Sequence, residues 1–143
     1  MITVERTFTV TVPPSAVIEY LKDFGHAEQW DPGTQSCVRN GDGPVIVGTS
    51  WHNLSKIIGV TTELTYTLEA LENDRIVLVG RNDKATSTDT ITVRAAGEGS
   101  SVTYRAELHM HGLAKLATPV MKLVFEKLGN DTQKQMTRVL NRL

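Results

Sequence analysis

Asp89 is the residue whose type and phase point most directly to chemistry. It lies in the stretch Ala85 to Ala95, in phase with Ile91 and Val93, while Thr88, Thr90, Thr92 and Arg94 take the other phase. A carboxylate turned into an apolar interior loses its hydration, holds its proton to higher pH and can act as a general acid or base. The same spacing admits a second reading, in which Asp89 sits near the strand start, solvated or paired with Arg6 or Arg81. Tyr66 and Tyr104 fall in the inward phase of their own stretches. Each would offer a ligand a hydroxyl on an otherwise apolar ring, or would pack with its hydroxyl satisfied.

Other polar candidates are weaker. Trp51 and His52 are adjacent, so one faces in and the other out. Hydrophobicity favours Trp51 inward, which places Asn53 beside it in an interior cavity. His26, near Trp30 and Asp31, is either at a pocket mouth or in a surface loop. His109 and His111 are spaced for one strand face and could share a metal. That phase is opposite to Leu108 and Met110, both histidines are therefore expected in solvent, and no metal site is assigned. The lone Cys37 excludes a disulfide framework and reads as a half-buried strand residue. A serine-nucleophile elbow and the glycine-rich phosphate loops are absent, and no cofactor is called for.

The elements that must position these residues follow from periodicity. Ile2, Val4, Phe8, Val10 and Val12 alternate with polar residues, giving a strand with one dry face that Arg6 interrupts. Arg6 either snorkels or pairs with a buried acid. Pro13 and Pro14 stop that strand and open a short helix to about Asp23, and His26 to Trp30 adds a second helical turn. Strands are then expected over Gln35 to Arg39, Gly48 to Lys56, Val60 to Leu71, Ile76 to Val79, Ala85 to Ala95 and through Val102 to Met110. Leu64, Tyr66 and Leu68 share the inward face of the third of these.

From Leu113 the period becomes helical, with Leu116, Ala117, Val120, Met121, Val124, Leu128, Met136, Val139 and Leu143 on one stripe. Pro119 belongs in its first turn or marks a break, and Gly129 with Asn130 and Asp131 is expected to kink or split it. The fold class is thus α+β: a curved antiparallel sheet of about seven strands around a long C-terminal helix, with two short helices after strand 1. The whole of 1–143 reads as one domain. A strongly bent sheet cannot pack one helix along its entire inner surface, and the mismatch leaves a cavity.

The 143 residues carry a net charge of −1 with both signs scattered. No basic stripe is present to track phosphates, so nucleic acid is not expected as a partner. No apolar run reaches the roughly 20 residues of an integral membrane segment, and the opening residues lack a secretory signal pattern. The expectation is a cytoplasmic protein. A homodimer is left open.

Three segments carry a family resemblance: TFTVTVPPSAVIEYLKDF, HAEQWDP and TPVMKLVFEKLGNDTQKQMTRVL. Across nearly its whole length the chain resembles the START-like (SRPBCC) helix-grip superfamily, in particular its polyketide cyclase/dehydrase and lipid-transport branch. The resemblance implies a hydrophobic pocket with variable polar groups, in a family of carriers, receptors and cyclases. The expected function is binding of a hydrophobic small molecule such as a lipid, isoprenoid or polyketide-like aromatic. The candidate ligand-binding set is Trp30, Trp51, Asn53, Leu64, Tyr66, Asp89, Tyr104, Met121 and Phe125. The alternative is a polyketide cyclase/dehydratase, with Asp89 as the catalytic acid–base residue. An interaction module is disfavoured by the threonine-rich outer face.

Overall fold

A computed structural model describes residues 1–143. Strands β1 (Ile2–Val10), β2 (Thr34–Asn40), β3 (Ser50–Ile57), β4 (Val60–Leu71), β5 (Arg75–Arg81), β6 (Ala85–Ala96) and β7 (Gly99–Met110) form one sheet in the order β1-β7-β6-β5-β4-β3-β2. Every pairing is antiparallel. Helices α1 (Pro14–Leu21) and α2 (Ala27–Trp30) follow β1, separated by the short turn Phe24–His26. Helix α3 (Thr118–Leu140) closes the chain and runs against β1. No helix is long and apolar enough to cross a membrane.

The inner face explains why the sheet grips the helix yet leaves space. Cross-strand register aligns side chains in rows. One row runs Val4, Ala106, Asp89, Leu78, Leu68, and its neighbour runs Ile2, Leu108, Ser87, Gly80, Tyr66, Trp51. Small residues Ala106 and Ser87 occupy the middle of these rows and leave the wall hollow there, while the space over Gly80 is taken by the Tyr66 ring. Toward the opposite end, Phe8, Val10, Ile91, Val93, Val102, Met136 and Leu140 pack into a continuous core with α1 and α2. Register shifts after Thr34 and after Leu68 mark bulges that help bend the sheet.

Several expectations about α3 are corrected. Leu113 and Leu116 do not begin the helix: Gly112–Ala117 forms a separate 3₁₀ turn, with both leucines almost fully exposed. Val120 is exposed as well, since this end of α3 stands off the sheet. Gly129 does not split the helix, which is continuous from Thr118 to Leu140. Its role is contact. A Cβ there would lie 2.4 Å from Val4 Cγ1, so glycine lets α3 approach β1 closely. Arg6 crosses the same contact. Its guanidinium donates to Glu126 Oε2 at 3.0 Å, to the Glu126 carbonyl at 3.2 Å and to Asn130 Oδ1 at 3.0 Å. The partner acid is half exposed, not buried.

Candidate functional site

A cavity of about 320 Å³ opens between the sheet and the first half of α3. Leu64, Ile57, Val60, Leu108 and Met110 line it from the sheet, and Met121, Phe125 and Leu128 from the helix. Within this apolar wall stand Asp89, Ser87, Tyr66 and Tyr104 from the sheet, and Asp31 from the segment after α2.

Asp89 is only 5% exposed. Its solvated reading is therefore set aside, and it pairs with neither Arg6 nor Arg81: those guanidiniums bind Glu126 and Glu69. Instead the Tyr104 hydroxyl donates to Asp89 Oδ2 at 3.1 Å, and the Ser87 hydroxyl approaches Oδ1 at 3.4 Å. Burial first, and then the charge of Asp31, raise the Asp89 pKa from 3.8 to about 7 against the opposing pull of the two hydroxyls. Tyr104 and Tyr66 are held well above 10.0, first by burial and then by the charge of Asp89. A carboxyl poised near neutrality beside a phenol that stays protonated can take up or release a proton from a bound molecule.

Tyr66 owes its position to Gly80. The two are cross-strand partners, and a Cβ on Gly80 would meet the Tyr66 ring at 2.6 Å. The ring thus lies across the glycine toward Ser87, the next residue in its row.

Asp31 lines the cavity, although the sequence marks it only as a neighbour of His26. Its carboxylate folds the turn that follows α2, accepting from Gly33 N at 3.1 Å and from Thr34 Oγ1 at 2.8 Å. Burial nonetheless pushes its pKa up against these two hydrogen bonds. A hydrogen-bond chain extends from it: Asn53 Nδ2 donates to Thr34 Oγ1 at 3.1 Å, and Ser55 Oγ donates to Asn53 Oδ1 at 2.6 Å. Ser55 lines the cavity at the far end of this chain. The signal for Asp31 is its place in the segment WDPG, where an acid accepts from the backbone two residues on.

Other candidates fall outside the cavity wall. Trp51 faces inward but is wholly buried against Phe24, with its indole N–H donating to Asp23 Oδ1 at 3.2 Å. Asn53 is buried between Thr34 and Ser55 and is not exposed to the cavity. Trp30 packs edge-on to Phe24 and Tyr104, behind the lining tyrosine. His26 stacks on Tyr20 at 4.2 Å, and His111 bonds Thr86. Cys37 is buried, with its thiol pushed up to about 12 by desolvation, and is unreactive as a nucleophile.

Solved structures share this architecture. An aromatase/cyclase from Streptomyces sp. R1128 aligns with a TM-score of 0.80 at 14% identity, covering 98% of this chain and 93% of that one. A protein of Thermus thermophilus aligns with a TM-score of 0.80 at 13% identity over 96% of both chains. A START superfamily protein from Mycobacterium smegmatis gives 0.70 at 17% identity, covering 98% and 94%. At such identities the likeness establishes the fold alone. No curated protein matches the sequence. Residues 1–143 match the family described as polyketide cyclase / dehydrase and lipid transport, and the chain belongs to that family.

Proposed function

We propose that this protein binds an apolar small molecule carrying one polar group, in the cavity between the sheet and α3. The observation that supports it is the wall itself. It is apolar along Leu64, Leu108, Met121 and Phe125, and Asp89, Ser87, Tyr66 and Tyr104 form one polar cluster in its sheet side, with Ser55 and Thr62 further along on β3 and β4. Ligand sites are built this way, with apolar area supplying affinity and a few placed polar groups fixing orientation. Native mass spectrometry of the protein purified from its own host tests the reading. A retained apolar molecule, displaced when Ala106 is replaced by leucine, is the expected result. An empty protein that also fails to bind any member of an apolar ligand panel would sink it.

One observation favours a second reading, a cyclase or dehydratase acting on a polyketide-like chain. Asp89 lies inside the cavity with a pKa of about 7 and a phenol at hydrogen-bond distance. Such a pair suits proton transfer in aldol closure or loss of water, with the enclosing wall folding the chain. Turnover of a poly-β-ketone substrate that is lost in Asp89→Asn would support this reading over simple binding.

A further inference from the structure

Four large apolar side chains stand in solvent on one short stretch of the chain. Leu113 is 87% exposed, Leu116 81%, Val120 58% and Leu123 76%. None of the four lines the cavity, whose helix side is made by Met121, Phe125 and Leu128. The turn Gly112–Ala117 runs straight into α3. There Val120 and Leu123, three residues apart, share one side of the helix, off the stripe of Met121, Phe125 and Leu128. A single exposed leucine is ordinary on a protein surface, whereas a contiguous group marks a contact.

The charges on this stretch are of one sign. Residues 112–125 contain Lys115 and Lys122 and no acid, although the chain as a whole carries −1. Both lysines are exposed and neither enters an ion pair. The tip of the β3–β4 hairpin repeats the combination, with Ile58 and Val60 exposed beside an unpaired Lys56. At the neighbouring turn Asp83 offsets Lys84. Ile58, Val60, Ala114 and Met121 all line the cavity, so the two segments flank the same opening. Apolar side chains interleaved with unpaired lysines suit an anionic lipid surface, where leucines enter the acyl boundary and lysines meet the head groups. A second copy of the chain fits poorly. An isologous interface would set the patch against itself, with no acid in it to receive the lysines.

We propose that the protein docks on anionic membranes through Leu113, Leu116, Val120 and Leu123, with Lys115 and Lys122 on the head groups. Docking sets the mouth of the cavity at the bilayer surface. The inference goes beyond the binding reading above and does not require it.

Flotation of the intact protein with vesicles of phosphatidylcholine alone, and of phosphatidylcholine mixed with phosphatidylglycerol, tests this. Binding to the anionic vesicles is expected to be about tenfold or more tighter than to the neutral ones, and to weaken as salt is raised. Lys115→Gln with Lys122→Gln should remove most of that difference, and Leu116→Ser with Leu123→Ser should abolish flotation. All four substituted side chains are exposed, so thermal unfolding should match the wild type. No flotation of the wild type with anionic vesicles at low salt, or equal flotation of the leucine variant, would overturn the inference. A wild-type dimer that the leucine variant dissolves, without vesicle binding, would overturn it too and assign the patch to a second copy. Each of these outcomes leaves the binding reading standing, because none of the substituted residues lines the cavity.

Discussion

The Tyr104 hydroxyl meets Asp89 Oδ2 at 3.1 Å although the register pairs Tyr104 with Ile91, two residues further along β6. The contact is a diagonal one across the inner face. It reaches over a gap because Ala106, directly opposite Asp89, is too small to fill it. The same small residue thus opens the cavity and lets a phenol cap the acid.

Asp89 should make stability depend on pH in a particular direction. Between 3.8 and about 7 the folded protein keeps a proton that the unfolded chain has released. Stability contributed by the protonated acid is therefore full below the lower value and is lost as pH rises through the upper one. The loss is at most on the order of 4 kcal/mol. The groups facing Asp89 are Tyr104, Ser87, Tyr66 and Asp31, and Asp31, also raised, adds a slope of the same sign. Urea unfolding at about pH 5 and pH 8 should show the wild type losing stability with pH. Asp89→Asn should be flatter and the more stable protein at the higher pH. An unchanged slope would mean that Asp89 is hydrated in solution.

Gly80→Ala tests the seat of Tyr66. The added methyl would occupy the ring's place at 2.6 Å, so ring or strand must move. Overpacking of this kind costs about 1–3 kcal/mol. A destabilised protein with weakened ligand binding is expected, and Tyr66→Leu in the same chain should recover most of the stability but not the binding. Unfolding curves and calorimetry measure the two effects separately.

Much of this is legible in the sequence, and the reasons for the failures are specific. Alternation of apolar and polar residues marks β1, β4, β6 and β7, whereas β5 reads as the apolar run Ile76 to Val79 bounded by turns. Asp89, Tyr66 and Tyr104 take the expected face because no bulge falls between each of them and its apolar neighbours in phase. Face is a local property. Depth is not: Trp51 and Asn53 point inward as expected, but whether an inward residue meets the cavity or the core depends on what covers it, here Phe24 and Thr34. Asp31 escapes notice because its turn-forming bonds account for it completely in sequence terms. The exposed Leu113 and Leu116 match a helical core spacing that the 3₁₀ turn does not share.

Gly129 is the clearest case of a residue whose local meaning and tertiary meaning differ. In an isolated helix Gly129→Ala would stabilise by up to about 1 kcal/mol. Against β1 the methyl would meet Val4 Cγ1 at 2.4 Å and the Arg6 guanidinium at 3.3 Å. The expected net effect is a loss of about 1 kcal/mol or more, since overpacking outweighs propensity. Val4→Ala should then rescue Gly129→Ala. Additive losses in that double-mutant cycle would show that the helix does not approach the strand so closely.

Ile58 holds a positive φ of 51°, followed by Gly59 at 73°, in the two-residue turn joining β3 to β4. Such a turn suits Asn-Gly, and a β-branched residue in it is strained by about 1–2 kcal/mol. Ile58 nonetheless lines the cavity while 64% exposed, which places an apolar side chain at its edge. Ile58→Asn is expected to raise the thermal midpoint and to weaken binding of an apolar ligand. If both rise together, the isoleucine has no part in the site.

Ala106→Leu tests whether the hollow between Val4 and Asp89 is the binding site or merely slack in the core. Ala106 is 6% exposed and lines the cavity, so the added branch would enter the space beside Asp89 over which the Tyr104 hydroxyl reaches. The branch fills part of the void but crowds the Tyr104–Asp89 hydrogen bond that spans it, and stability should fall by about 1–3 kcal/mol. Binding of an apolar ligand should fall by about tenfold or more, since the new side chain takes the ligand's volume beside its polar anchor. A second readout ties this to Asp89. Leucine in place of alanine would strip more water from the carboxyl, so the pH at which stability is lost should move upward from that of the wild type. Lost binding with an unmoved midpoint would place the ligand in the cavity but away from Asp89. A moved midpoint with intact binding would place the ligand elsewhere.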